Sequence, residues 1–239
     1  MRKLLQQTLS TLCKPAVWIP AALLAVATAA FWLTDLDLAL VRPFFSGDAT
    51  NPEFVARWPM TVAQPWKALY DWGIYPAWIL GLGGLAVWIV SFLWKKIEPW
   101  RDPGLFYFLL LIVGPGILVN GVCKPYWSRP RPHAIEQFGG PRDFLPVLQL
   151  GFGKNDSSFP SGHASTGFYL MAPAFVLYRR RPWWAAAFLL LGLICGGVIG
   201  AARVVAGGHF PSDILWSGGI VYFTALVLAA PFRFGKESP

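Results

Sequence analysis

The chain has 239 residues, of which 55% are hydrophobic and only 13% charged, and a formal net charge of +8. That balance excludes a soluble globular domain and identifies an integral membrane protein. The positive excess is divided among short segments between apolar runs, so no basic domain exists for nucleic acid to bind.

Six stretches carry no charged side chain: 15–34, 72–94, 103–123, 157–178, 182–202 and 214–232. Each approaches the ~20 residues that cross a bilayer as helix. Hydrocarbon leaves backbone polar groups unsatisfied outside helices and closed barrels, and none of these runs alternates as a barrel strand does. The expected fold is therefore all-α, one polytopic domain over residues 1–239 with six transmembrane helices. The first run has a basic start and the small-residue sequence Ala27-Thr28-Ala29 of a signal peptide, but exceeds a signal core in length and is expected to be retained.

Residues 35–75 form the first long loop, and Phe44, Phe45, Phe54, Trp58, Trp66, Tyr70 and Trp72 make it too aromatic for a free linker. The stretch from Thr61 to Trp72 reads as a short interfacial helix over the bundle mouth, or as a simple cover for the outer helix ends. A second long loop spans 123–160. In the fifth run Gly192, Gly196 and Gly200 share one helix face, which lets a neighbouring backbone approach closely. Trp94, Trp100, Trp183 and Trp184 fall where helices meet headgroups. Cys13, Cys123 and Cys195 show neither pairing nor metal-ligand spacing and read as packing residues.

Charge sets the orientation. The N-terminus and the segments 95–102, 179–181 and 233–237 hold eleven basic residues against Glu98, Asp102 and Glu237, whereas the opposite side holds nine basic and nine acidic residues. The positive side is expected in the cytoplasm, with both termini inside and the loops 35–75 and 123–160 outside.

Three short stretches on the outer side gather ionisable groups at helix ends: Lys124 to Pro132, Pro160-Ser161-Gly162-His163, and Arg203 through His209 to Asp213. Snorkelling cations favour the inner side, so a basic cluster here points to an anionic ligand. Arginine forks match phosphate oxygens and lysine adds a point charge, so Lys124, Arg131 and Arg203 are expected to neutralise a phosphate. Arg129, two residues earlier, is expected to face headgroups. Ser161 and Gly162 precede a helix, and their N–H groups are expected to point into the same pocket. His209 and Asp213 are four apart and share a helix face, so the carboxylate is expected to bind one ring nitrogen while the other faces phosphorus. His209 then serves as nucleophile and His163 as general acid.

The motifs Lys-x6-Arg-Pro, Pro-Ser-Gly-His and Arg-x5-His-x3-Asp, in this order, resemble the signature of the type 2 phosphatidic acid phosphatase family, which includes vanadium haloperoxidases. They occupy residues 124–213, and the helix plan extends the likeness over nearly the whole chain. The resemblance implies a phosphohistidine at His209, support from Asp213, protonation of the leaving group by His163, and phosphate binding by Lys124, Arg131, Ser161, Gly162 and Arg203. It implies no metal and no other cofactor. Ala202 departs from the serine usual before the last-motif arginine, which removes a hydroxyl but no charge.

Three other readings compete. A metal site on His163, His209 and Asp213 leaves three basic residues around a cation without a reason. A transporter places its charges at the midplane, not at one face. A non-catalytic lipid-binding relative is expected to lack a reactive histidine. The reading that follows is a bacterial inner-membrane lipid phosphate phosphatase with its site facing the periplasm. Its partner is a phosphorylated membrane lipid, and its oligomeric state is open. Lipid A phosphate, undecaprenyl pyrophosphate, phosphatidylglycerol phosphate and phosphatidic acid are the substrates that the resemblance implies, and a phosphotransferase using an acceptor lipid is a related alternative. The loop 133–156 carries Glu136, Gln137, Phe138, Arg142, Asp143, Phe144 and Lys154, which are expected to wall a large headgroup. Glu136-Gln137-Phe138-Gly139-Gly140 also resembles lipid A phosphatases of the family, so lipid A is favoured, with undecaprenyl pyrophosphate next.

Overall fold

A computed structural model describes residues 15–151, 157–232 and 234. Arg2, Lys3, Cys13, Lys14, Lys154, Arg233, Lys236 and Glu237 lie outside the described residues. Within them the fold is helical, with one isolated bridge between Ile135 and Arg142 and no strand. The principal helices are α1 (Pro15–Leu33), α2 (Leu36–Val41), α3 (Trp66–Trp72), α4 (Tyr75–Val90), α5 (Arg101–Leu111), α6 (Gly162–Tyr169), α7 (Ala172–Leu177), α8 (Pro182–Val205) and α9 (Pro211–Phe232).

Five helical segments are long and apolar enough to cross a membrane: Pro15–Leu33, Trp66–Val90, Lys95–Ala134, Pro182–Val205 and Pro211–Phe232. The sixth expected span, 157–178, is instead two short helices, α6 and α7, joined at Leu170 and Met171. Proline has no N–H, so Pro173 cannot give Tyr169 the hydrogen bond that would continue the first helix into the second.

α5 also changes character, continuing as wide π-type turns over Ile112–Cys123 and ending in the single turn Lys124–Trp127. Pro115 lies inside this segment, and Asn120 Nδ2 donates to the Pro115 carbonyl at 2.6 Å. A missing backbone donor and an inserted side chain are the ordinary causes of such widening.

α6 lies at the centre, packed against α8, α9 and the wide-turn segment, and seven of its eight residues are buried. The glycine face of α8 makes this possible. Met171 fills the place of a side chain at Gly192, Phe168 at Gly196 and Ile214 at Gly200. α1 runs along the outside and buries none of its residues; it is tied to α9 by Trp216 Nε1 donating to Thr28 Oγ1 at 3.0 Å.

The loop 35–75 is built into the bundle. Phe45, Trp58 and Phe138 form a ring cluster with centroids 5.3–5.5 Å apart, and Trp58 is fully buried. α3 lies against α8 near its Arg203 end; within the stretch 61–72 the helix covers Trp66–Trp72 and leads directly toward α4.

Candidate active site

His209 sits in the turn between α8 and α9. Gly207 has φ +65°, and a Cβ there would fall 2.5 Å from Trp58, so only glycine suits both the backbone and the indole above it. The His209 ring is 2% exposed. Its Nδ1 lies 2.5 Å from the Ser158 carbonyl oxygen and 3.8 Å from Asp213 Oδ2. A carbonyl only accepts, so Nδ1 carries the proton and Nε2 presents its lone pair. This corrects the expectation that Asp213 itself binds the ring. Asp213 Oδ2 accepts the Phe210 N–H at 2.8 Å and Oδ1 accepts from Arg129 at 2.5 Å, so the carboxylate acts on the imidazole through its charge. Burial, the largest influence, lowers the His209 pKa to about 4; Asp213 opposes this, while Arg203 and Arg131 reinforce it. The ring is therefore neutral near pH 7.

Arg129 does not face headgroups. It is fully buried, and its fork is divided among four acceptors: Nε to Leu145 O at 2.9 Å, one terminal nitrogen to Ser212 Oγ (2.9 Å) and Asp213 Oδ1 (2.5 Å), and the other to Asp37 Oδ2 at 2.8 Å. The guanidinium also lies 4.5 Å from the Phe210 ring centroid. A lone charge here would face a desolvation penalty of several kcal/mol, and two carboxylates with four hydrogen bonds offset it. Asp37, from α2, closes the network by accepting from the Ser212 N–H at 3.0 Å and the Ser212 hydroxyl at 2.6 Å. Burial is the main cause raising its pKa, opposed by Arg129.

Ser161 caps α6, its Oγ accepting the Ala164 N–H at 3.3 Å. Its own N–H donates to Ser217 Oγ at 2.8 Å and does not point to a phosphate pocket as expected. The Ser217 hydroxyl reaches the Asp213 carbonyl at 2.7 Å, so this pair locks the start of α6 to α9. Gly162 admits Asn120, whose Oδ1 would lie 2.6 Å from a Cβ at that position.

The opposite side of the site is open and cationic. Arg203, Lys124 and Arg131 all lie near enough for their charges to act on His163. The His163 ring stacks on Tyr70 with centroids 4.8 Å apart at 18°, and the Arg203 guanidinium lies 4.4 Å from the same Tyr70 centroid. A cavity of about 190 Å³ borders Arg131, Arg203, Tyr70 and Gly208, the residue before His209.

The loop 133–156 contributes less to this cavity than its composition led us to expect. Phe138 belongs to the Trp58 cluster, Phe144 packs edge-on against Phe210, and Arg142 donates to the Ser128 carbonyl at 2.9 Å. Among the described residues of the loop, His133 is the one that lines the cavity; the remaining wall comes from residues 54–70, from Arg131 and from the end of α8 and the turn after it (Ala202, Arg203, Ala206 and Gly208).

The structure thus brings His163, His209, Asp213, Lys124, Arg131 and Arg203 to one place, and adds Asp37, Tyr70, Asn120, Ser158, Ser212 and Arg129. Of the additions, Asp37 had a legible signal, an acidic residue just past a membrane-length apolar run, where such charges are uncommon and functional. Ser158, Ser212 and Asn120 act through contacts that no spacing encodes. Among the described residues no group of three or more His, Cys, Asp or Glu is arranged to hold a metal ion.

A family model described as the PAP2 superfamily matches residues 104–234, more than half of the chain. A lipid A 4'-phosphatase of Francisella tularensis subsp. novicida (strain U112) is 38% identical over 140 residues, covering 58% of this chain and 62% of that protein. A lipid A 4'-phosphatase of Rhizobium leguminosarum is 30% identical over 154 residues, 58% of this chain and 64% of that protein. A lipid A 1-phosphatase of Rhizobium etli (strain ATCC 51251 / DSM 11541 / JCM 21823 / NBRC 15573 / CFN 42) is 30% identical over 139 residues, 56% of this chain and 54% of that protein. The chain spans less than two thirds of the length of these curated relatives. No solved structure matches.

Proposed function

Because the chain belongs to the type 2 phosphatidic acid phosphatase (PAP2) superfamily, we propose that it removes a phosphate from a membrane glycolipid, a lipid A phosphate, at the outer face of a bacterial inner membrane. The observation that carries the chemistry is the buried His209, whose Nδ1–H is held by Ser158 O at 2.5 Å so that Nε2 is the nucleophilic nitrogen. Nε2 attacks phosphorus, the bond from phosphorus to the lipid oxygen breaks, and His163 gives that oxygen a proton. Water then attacks the phosphohistidine, His163 takes its proton, and phosphate leaves. Arg131, Arg203 and Lys124 neutralise the charge that grows on the phosphoryl oxygens. Asp213 stabilises the imidazolium-like His209 of the transition state by charge, Ser161 fixes the start of α6, and the Gly162 N–H at that helix start binds the phosphate.

The names of the relatives, lipid A 4'- and 1-phosphatases, support the substrate. The outward orientation rests on Lys95, Lys96, Arg101 and Arg179 to Arg181, which lie at the helix ends opposite the site. Undecaprenyl pyrophosphate and phosphatidylglycerol phosphate are the next substrates to consider, and an acceptor lipid in place of water would make the protein a phosphotransferase.

The test is an assay of purified protein in detergent against lipid A bearing both phosphates, these two lipids and phosphatidic acid, with and without an acceptor. Lipid A should be the preferred substrate, vanadate should inhibit, and His209→Ala should abolish turnover. A kcat/KM for phosphatidic acid or phosphatidylglycerol phosphate about tenfold above that for both larger lipids, ~1.4 kcal/mol of transition-state preference, overturns the substrate reading. A fully active His209→Ala overturns the mechanism. In permeabilised cells, Gln137→Cys should react with an impermeant thiol reagent and Arg180→Cys should not.

A further inference from the structure

The cavity beside Arg131 and Arg203 is more than the phosphate site itself. Besides the two arginines it is lined by Phe54, Met60, Thr61 and Trp66, from the outer loop, and by His133. We propose that this cavity is a sugar subsite that receives the single pyranose ring bearing the scissile phosphate; the inference rests on the glycolipid reading given above.

Three observations carry it. The first is size. About 190 Å³ is below the ~300 Å³ at which pockets for drug-sized ligands begin, so it suits one ring and not a whole disaccharide. The second is the division of the wall. Phe54 and Trp66 are aromatic and Met60 is a pliable thioether, whereas Thr61 and His133 supply a hydroxyl and an imidazole. A pyranose has an apolar C–H face and a polar hydroxyl edge, and this wall offers a surface for each. His133 is held in orientation by its Nδ1 at 2.9 Å from Gly207 O and by Phe54, which meets its ring edge-on at 5.2 Å. The third is polar satisfaction. Among the described residues, Thr61 Oγ1 and Arg203 Nε are buried without a hydrogen-bond partner, and both belong to residues lining the cavity. Arg203 is the phosphate ligand proposed above, which leaves Thr61 Oγ1 as the wall group that discriminates: a turn of its side chain toward the cavity lets a sugar hydroxyl satisfy it, whereas an acyl or isoprenyl chain leaves it unpaired at a cost of about 1–3 kcal/mol.

Thr61→Val removes the hydroxyl without changing the shape, and Trp66→Leu removes the aromatic face. With lipid A in detergent micelles, each should raise KM or lower kcat/KM by about tenfold, the scale of one lost polar or apolar contact in a specificity pocket. The Ki of orthovanadate, which occupies the phosphate site without a sugar, should stay within about twofold, since those contacts are untouched. An unchanged KM and kcat/KM for lipid A in both variants, or a vanadate Ki that moves in parallel, overturns the subsite while leaving the phosphatase reading intact. A wild-type protein that does not dephosphorylate lipid A at all removes that reading, and the subsite with it.

Discussion

Arg129 and Arg131 stand two residues apart in one motif and belong to opposite kinds of site. Arg129 is fully buried, its donors directed to Asp37, Asp213, Ser212 and the Leu145 carbonyl. Arg131 borders an open cavity with Arg203. The difference follows from the backbone. Proline at 130 and at 132 holds the segment away from helix, and Arg131 is extended at φ −79°, ψ 156°, so alternate side chains point in opposite directions. One arginine is thereby turned into the bundle and the next toward the ligand space. A single sequence motif thus supplies both the dry, charge-saturated half that fixes Asp213 and the open cationic half proposed above to bind the phosphate. Counting basic residues in a motif cannot tell the two roles apart.

The comparison is broken most severely at Arg129. Arg129→Ala leaves Asp37 and Asp213 buried without their cation, which should cost about 3–5 kcal/mol of stability as well as activity. Thermal unfolding in detergent measures it; a variant of Arg129 with wild-type stability would show that the buried half is not a charge network.

The buried half should also be the more sensitive to acid. His209 has its pKa lowered to about 4 from 6.5, so above pH 6.5 it is neutral in folded and unfolded chains alike. As pH falls from 6.5 toward 4 the unfolded chain takes up a proton that the folded one resists, and stability is lost, by about 3 kcal/mol once both are protonated. His209→Gln should flatten this part of the pH–stability curve, whereas Arg131→Gln should reduce it only slightly, since Arg131 is the smallest of the influences on His209; equal flattening by both would dissolve the distinction between the halves.

Arg131→Lys sharpens the contrast from the other side. It retains the charge and removes the planar fork, and kcat/KM should fall about 10²-fold with unfolding temperature nearly unchanged. A loss of stability comparable with that of Arg129→Ala would place Arg131 in the scaffold.

Asp37→Asn is a milder change to the buried half than Arg129→Ala. It keeps the shape and an acceptor for Ser212, and should cost about 1–3 kcal/mol of stability through weaker bonds to Arg129, with kcat reduced more than KM is raised. A pure rise in KM would argue that α2 contacts substrate and does not position Asp213.

The membrane class, five of the long helices, the glycine face of α8 and the three motifs were legible in the sequence, because each depends on composition or on spacing within a single element. Charge-free runs of bilayer length need no tertiary information, and the i, i+4 recurrence of Gly192, Gly196 and Gly200 already implies a close neighbour. What the sequence left open depends on contacts between distant segments. Only the fold assigns Arg129 to the interior, because its partners Asp37 and Asp213 lie 92 and 84 residues away in the chain. Only the fold gives the His209 Nδ1 proton to the Ser158 carbonyl and not to Asp213, and gives the Ser161 N–H to Ser217. Likewise, Phe138 and Phe144 read as headgroup wall until packing claims Phe138 for the core and sets Phe144 against Phe210, while Phe54 and Trp66 border the cavity. Hydrogen-bond geometry is decided over tenths of an ångström by whichever acceptor the packed bundle brings nearest, and local sequence holds no record of that distance.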